Sequence, residues 1–371
     1  MESILTKYAN LLVHYCLEIK ENDWLYISST TLGEPLVKEV YRMAVRAGAH
    51  VETDLAFAER GRIFLEEAGE EQIRTVSPFH QQAMETFNAY LYIRAPFNLR
   101  EDQNVAPGKL KARQQAMAPV HKTYFERTAT RDLKRNLCQF PTQAAAQEAG
   151  MSLEEYEFFV FDACKLLEAD PVRSWKNVRK AQQQVVDLLN QRTDIRYLGD
   201  GIDIRFNTAG RTWINSDGQT NMPSGEVYTS PVEDSVNGTV HFSYPAVYMG
   251  HEVEGVTLWV KDGLVEKWEA VRGKSFLDEV FQIPGTRHFG EAAIGTNYGI
   301  RQFTKNILFD EKIGGTIHMA IGQSYLQTGG KNQSTVHWDM IGDMSNGGSI
   351  FADGEKIYEN GRFLFLDQPL N

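Results

Sequence analysis

The first half of the chain alternates between helical and strand-like hydrophobic patterns. Apolar residues recur at helical spacing over 4–19, and 34–47 is amphipathic, with Gly48 following it as a helix C-cap. Short apolar runs that fit buried strands occur at 24–28, 50–54 and 89–94. This order of strands and helices predicts a three-layer α/β unit with a mostly parallel sheet.

Residues 105–190 are predicted to be largely helical. Ser152 and Glu155 have the spacing of a capping box, which opens a helix that runs through Leu167. A second amphipathic helix is predicted over 176–189, with glutamines and charges on its solvated face.

The pattern changes near residue 195, where Gly, Thr, Asn and β-branched residues become frequent. Lys261-Asp262-Gly263 supplies a turn between two predicted strands. The predicted strands are 202–206, 253–260, 264–270, 313–320 and 335–341, with a closing hairpin at 349–358 and 361–366. We therefore predict an α/β N-terminal domain over 1–194 and a β-rich α+β C-terminal domain over 195–371.

Composition excludes several classes of protein. The 38 basic and 49 acidic residues give a formal net charge of −11, which argues against a nucleic-acid partner. Neither an apolar run of about 18 residues nor a secretory signal is present, so no membrane association is expected. Three cysteines without C-x-x-C spacing favour a reduced, cytoplasmic protein. No predicted strand is followed by a G-x-G-x-x-G motif, so a dinucleotide-binding site is not expected.

Candidate chemistry is concentrated in the second half. In a strand, side chains at i and i+2 share a face, so His337 and Asp339 would lie side by side with Trp338 on the opposite face. That is the geometry of two ligands to one metal, although a surface pair has the same spacing. His318, in an apolar strand, would be an inward ligand or a hydrogen-bonded core histidine.

Two glutamates follow glycine at predicted turns. Glu226 comes after Pro223-Ser224-Gly225, and Glu291 comes after Gly290. Each alone has the ordinary explanation of a solvated carboxylate. Together with the two histidines and Asp339 they supply five oxygen and nitrogen donors, which suit Zn, Co, Mn or Mg and fit a two-metal site.

Four motifs in one order carry a family resemblance. N-M-P-S-G-E-V-Y-T-S-P, H-F-G-E-A-A-I-G-T-N, G-G-T-I-H-M-A-I-G-Q-S-Y and N-Q-S-T-V-H-W-D resemble motifs of the M29, aminopeptidase T-like family of metallopeptidases. The strong match covers roughly residues 200–345, and the N-terminal half resembles the family in its start, size and α/β rhythm. The resemblance implies that 195–371 is the catalytic domain with a two-metal centre, whose ligands are Glu226, Glu291, His318, His337 and Asp339.

The resemblance also implies roles and partners. Glu291 would be the bridging carboxylate and Tyr325 the active-site tyrosine, which donates to the oxyanion. Glu291 or another glutamate would carry the proton to the leaving amine. The implied protein is a cytoplasmic, homodimeric, metal-dependent aminopeptidase that releases N-terminal residues from peptides with a free N-terminus, using two divalent ions.

Two other functions stay open at this point. His318, His337 and Asp339 alone would form the triad of a mononuclear Fe(II) ring-cleaving dioxygenase, as some relatives of the family are. A non-catalytic binding protein on this fold is the second alternative. Retention of both glutamates favours two metals over one. The segment 326–336 is shorter than in many members, so we expect a changed pocket rim.

Overall fold

The structure is a computed structural model that describes residues 3–366. It contains two compact units, one running up to Val172 and including Gly218–Pro223, the other formed by Arg173–Asp217 and the chain from Ser224 onward. The predicted domains, 1–194 and 195–371, meet at a single boundary and include residues outside the described part. That division stays a prediction.

The helices are mostly in the first half of the chain. A π-helical turn, Leu11–Cys16, continues the first of them. In chain order they are α1 (Ile4–Asn10), α2 (Glu34–Arg46), α3 (Arg60–Glu67), α4 (Glu70–Arg74), α5 (Pro78–Thr86), α6 (Pro107–Ala129), α7 (Gln143–Glu148), α8 (Leu153–Ala163), α9 (Pro171–Leu189), α10 (Lys274–Val280) and α11 (Ile307–Asp310).

The strands are spread along the whole described chain. In order they are β1 (Trp24–Thr30), β2 (His50–Ala56), β3 (Ala89–Arg94), β4 (Lys134–Gln139), β5 (Asp194–Gly199), β6 (Ile202–Asn207), β7 (Ile214–Ser216), β8 (Asn221–Met222), β9 (Glu226–Thr229), β10 (Asn237–Phe242), β11 (Ala246–Tyr248), β12 (His251–Val253), β13 (Val256–Lys261), β14 (Leu264–Glu269), β15 (Phe289–Gly295), β16 (Thr316–Gly322), β17 (His337–Asp343), β18 (Ser349–Ala352), β19 (Glu355–Glu359) and β20 (Arg362–Phe363).

The first unit is built on a parallel sheet in the order β2-β1-β3-β4-β8. The central strands β1 and β3 are largely buried, and a core cluster is formed by residues such as Tyr26, Met84 and Leu133. The predicted α/β architecture with a mostly parallel sheet is confirmed. The capping box at Ser152 is present, and its helix ends at Ala163.

The second unit is built on antiparallel sheets. An eight-stranded sheet has the order β14-β13-β10-β6-β5-β18-β19-β20, a five-stranded sheet has the order β17-β16-β15-β9-β7, and β11 pairs with β12. The turn between β13 and β14 has positive φ at Asp262 and Gly263, as a tight hairpin requires. The predicted β-rich C-terminal half is confirmed.

Several predictions of secondary structure are wrong. The predicted strand 349–358 is itself a hairpin of β18 and β19, and the helix predicted to run through Leu167 ends at Ala163. Residues 134–139, within the stretch predicted to be helical, form β4, because β3 and β8 pair with it on its two edges. The predicted strand 253–260 is interrupted at Gly255, whose φ is +62°, so β12 and β13 belong to different sheets. Among the described residues, no helix is both long and apolar enough to cross a membrane.

Candidate metal centre

The candidate ligands lie on one face of the five-stranded sheet. Cα pairing places Glu226 opposite Gly295, His318 opposite Ala293, and Asp339 opposite Ala320. Paired residues of antiparallel strands point their side chains to the same face. Four neighbouring strands therefore bring together Glu226, Glu291, His318, His337 and Asp339, the five residues singled out from the sequence.

Small residues leave room between these side chains. Ala293 pairs with Tyr228 on one side and His318 on the other, and Ala320 lies between Glu291 and Asp339. The methyl groups of Ala293 and Ala320 extend only a short distance from the sheet. The longer acidic and imidazole side chains therefore converge above these alanines.

A glycine precedes each strand glutamate for a steric reason. Gly225 has φ +116°, and a Cβ there would lie 2.8 Å from the Cβ of Asn297. A Cβ on Gly290 would lie 2.2 Å from the carbonyl oxygen of Gln323. Only glycine permits these close approaches, which set the start of β9 and the irregular register at the start of β15.

Glu291 lies between the two histidines. Its Oε1 is 3.5 Å from Nε2 of His318, and its Oε2 is 3.1 Å from Nε2 of His337. His318 Nε2 is also 3.4 Å from Glu226 Oε2. On the other side, His337 Nε2 is 3.6 Å from Asp339 Oδ1.

Backbone contacts fix the orientation of His337. Its Nδ1 lies 2.8 Å from the carbonyl oxygen of Gln323, which accepts the Nδ1 proton. Nε2 is therefore the nitrogen that faces the carboxylates. The hydroxyl of Tyr325 lies 3.3 Å from this Nε2, so the predicted active-site tyrosine is beside the ligand set.

Sequence reasoning missed two residues of this site. Glu311 follows α11, and its carboxylate joins Glu226 and His318 in a group whose ligand atoms lie within 4.8 Å of one another. Lys312, which is wholly buried, forms ion pairs with Glu311 and with Glu226, the latter at 3.7 Å. The only sequence signal is their position just before the Gly314-Gly315 pair that leads into β16.

Neighbouring carboxylates keep both histidines protonated in the metal-free protein at neutral pH. Burial disfavours the imidazolium of His318, but Glu291 and Glu226 outweigh it and raise its pKa to about 9. Burial likewise opposes the charge on His337, yet Asp339 and Glu291 raise its pKa to about 10.

The carboxylates respond in opposite directions. Burial raises the pKa of Glu226 to about 7 and that of Asp339 to about 6, despite the nearby cations. Burial also opposes the charge of Glu291, but the two histidines outweigh it and lower its pKa to about 2. Glu291 is thus the most firmly ionised of these three acids, as expected for a group between two cations.

The donor atoms fit divalent metal ions. Glu226 Oε2, Asp339 Oδ1 and both ring nitrogens of His318 are buried without a hydrogen-bond partner. Buried polar atoms normally have a hydrogen-bond partner. Carboxylate oxygens and imidazole nitrogens that lack one and lie in one cluster therefore indicate a site that binds a ligand such as a metal ion. The second group with ligand atoms within 4.8 Å of one another consists of Glu291, His337 and Asp339.

Comparisons with known proteins agree with this chemistry. The model of the family described as thermophilic metalloprotease (M29) matches residues 1–363. Aminopeptidase 2 from Geobacillus stearothermophilus is 27% identical over 98% of this chain and 98% of its own length. Aminopeptidase AmpS from Bacillus subtilis is 31% identical over 61% of this chain and 62% of its own length.

A solved structure shares the fold. Wild-type AmpT from Thermus thermophilus superposes with a TM-score of 0.84 at 22% identity, covering 97% of this chain and 99% of that one.

We predict that metal uptake releases protons. At pH 7 the imidazoles of His318 and His337 hold protons in the metal-free protein, and Glu226, with a pKa of about 7, is partly protonated. All three ligands must lose these protons to bind a metal, so at least about two protons leave. Metal affinity should rise with pH up to the histidine pKa values of about 9 and about 10. Calorimetric titration in buffers of different ionisation enthalpy measures the proton count. Binding without proton release at pH 7 would contradict this charge assignment.

The same raised pKa values affect the stability of the metal-free protein. The folded chain binds the two histidine protons more tightly than the unfolded chain. This stabilisation is complete below a pH of about 6.5 and is lost as the pH rises through about 9 and about 10. Denaturant unfolding of the chelated protein across this range measures the loss.

Proposed function

The chain belongs to the thermophilic metalloprotease family M29, whose model matches residues 1–363, and from this premise we propose that its centre binds two divalent ions. The predicted function, a metal-dependent aminopeptidase, is confirmed by the family and by the aminopeptidases among its relatives. The protein is therefore a hydrolase. The dioxygenase and the non-catalytic binding protein are set aside.

The position of Glu291 carries the two-metal proposal. Each of its oxygens faces the Nε2 of a different histidine, at 3.5 and 3.1 Å. A carboxylate can bridge two ions by offering one oxygen to each, and the position of Glu291 suits this arrangement. We propose that Glu226, Glu311 and His318 hold one ion and that His337 and Asp339 hold the other, with Glu291 shared. Glu311 is thus added to the five ligands expected from the sequence.

The chemistry of such a centre is hydrolysis of the peptide bond. When bound, divalent ions polarise a carbonyl group and lower the pKa of water to near neutrality. The protein's own carboxylates and imidazoles would bind the ions, and its side chains would orient the peptide. The assignment of Glu291 as proton carrier stays a prediction, because both of its oxygens are directed at the histidines.

Tyr325 is proposed to stabilise the oxyanion. Burial raises the pKa of Tyr325 well above its ordinary value, with contributions from Glu291 and Asp339, so the phenol keeps its proton and donates. Its ring packs edge-on against Tyr228 with centroids 5.5 Å apart, which fixes the hydroxyl beside the ligands. A donor held in place before the reaction stabilises charge that develops only in the transition state.

The proposed substrates are peptides with a free N-terminus. The relatives are named as aminopeptidases. A free α-amino group binds a carboxylate when it is protonated, or a metal ion when it is a neutral amine, and this site supplies carboxylates and candidate metal ligands. The homodimer and the cytoplasmic location remain predictions that rest on the family resemblance and on the sequence.

We predict that wild-type protein holds two divalent ions and that Glu291→Ala loses at least one of them. Removing the shared carboxylate leaves two cations with less negative charge between them. Metal analysis of both proteins, with circular dichroism to verify folding, measures the change, and hydrolysis should collapse with it. A folded variant with the wild-type metal content would contradict the bridging role.

Tyr325→Phe should keep both ions and the fold, because only a hydroxyl is removed. If that hydroxyl meets the developing oxyanion, kcat falls by about 10²–10³ with little change in KM. Steady-state kinetics on an amino-acid arylamide, together with metal analysis, tests this. An unchanged kcat would reduce Tyr325 to a packing residue.

Acetylation of the substrate's N-terminus should abolish its charged anchor. Losing a hydrogen bond to a charged group costs about 1.5–3 kcal/mol, so kcat/KM falls by roughly tenfold to a hundredfold or more. Paired free and acetylated peptides of one sequence measure the difference. Equal rates would show that the enzyme does not recognise the terminus.

A further inference from the structure

A lysine lies inside the metal centre without contact with solvent. Lys312 has 0% exposure, and its ammonium group is paired with Glu311 and lies 3.7 Å from Oε1 of Glu226. Lysine is among the residues least often fully buried, and it is buried when its charge has partners. Both partners here are candidate ligands of the same ion.

The backbone holds Lys312 in this place. Its carbonyl oxygen accepts from the amide of Asn297 at 2.9 Å, and its own amide donates to the carbonyl of Phe309 at 3.0 Å. The next residue, Ile313, forms a β-bridge with Asn297. The side chain therefore starts from a fixed point beside β9 and β15.

The other half of the centre has no such cation. Among residues 3–366, the ion-pair partners of Glu291 and Asp339 are histidines, which become neutral when they bind a metal. Glu291 lies between the two groups and serves both, so its charge does not distinguish them. Glu226 and Glu311 supply two negative charges to their own group, but the ammonium of Lys312 cancels one of them.

We propose that Lys312 weakens ion binding at the group of Glu226, Glu311 and His318, because its ammonium places a buried positive charge against the carboxylates that would bind the ion. This inference rests on the proposed two-metal function. An ammonium has three donors and no acceptor, so it cannot be a ligand. It repels the incoming cation from the carboxylates of Glu226 and Glu311, in a buried place where like charges interact strongly.

Calorimetric titration of the chelated protein with Mn²⁺ tests the proposal. Wild-type protein should take up two ions. Glu311→Gln should remove the binding step of the group that contains Glu226, Glu311 and His318, and Asp339→Asn should remove the other step, so the two variants assign the steps of the wild-type titration.

Removal of the ammonium should tighten one step alone. Lys312→Met keeps an unbranched side chain without charge, and the step that Glu311→Gln removes should tighten by about tenfold or more. Lys312→Arg retains the charge and should leave this step near its wild-type affinity, and a Lys312→Met protein that tightens the other step instead would overturn the proposal. Lys165→Met is the matched control, since Lys165 is a lysine of 8% exposure in the other compact unit, and it should leave both steps unchanged.

The experiment separates this inference from the two-metal function. If wild-type protein binds only one ion at saturation, the two-metal function fails. If it binds two and Lys312→Met leaves their affinities unchanged, the role of Lys312 alone fails. Should Lys312→Met not fold without metal, Lys312→Gln takes its place, since it removes the charge but can still donate a hydrogen bond to a carboxylate, and it should tighten the same step.

Discussion

The repulsion between carboxylates in one small buried volume is the constraint on which the second unit depends. Glu226, Glu291, Glu311 and Asp339 have little or no contact with water, so their charges must be balanced from within the protein. In the metal-free protein two imidazoles and one ammonium provide that balance. When divalent ions bind, they replace the imidazole protons. The carboxylates that stabilised the protonated imidazoles then stabilise the ions that serve hydrolysis.

The β-sheet solves the geometric part of this problem. Neighbouring antiparallel strands hold the ligands on a hydrogen-bonded ladder, and Ala293 and Ala320 leave the space above the sheet free. Gly290 lets the backbone of Gln323 approach closely enough to accept the Nδ1 proton of His337. Small residues therefore contribute as much to the site as the charged ones, because they leave space for the ligand side chains and allow a close approach of the backbone.

The sequence carries some of this architecture and not the rest. Alternation along β17 is a local property, so the shared face of His337 and Asp339 could be predicted. The approach of Glu226 and Glu291 depends on the order of strands distant in the chain, which no local period encodes, and only the family resemblance joined them. Glu311 lies outside any strand, where no alternation applies, and Lys312 beside it has the composition of a charged loop. The strand β4 was missed because KRNLCQ mixes charged and apolar residues, and its pairing comes from β3 and from β8 much later in the chain.

Because the ligands lie on one face of the sheet, the site forms only when the strands pair in the correct register. If β17 paired one residue out of step, Trp338 would take the place of the imidazole and the carboxylate, and both would turn to the far side, where Trp338 now stacks on Tyr248. A metal that binds only the correctly aligned sheet stabilises that alignment over every shifted one. The metal content of a preparation should therefore report on the register of β17, since only correctly paired molecules place His337 and Asp339 beside Glu291.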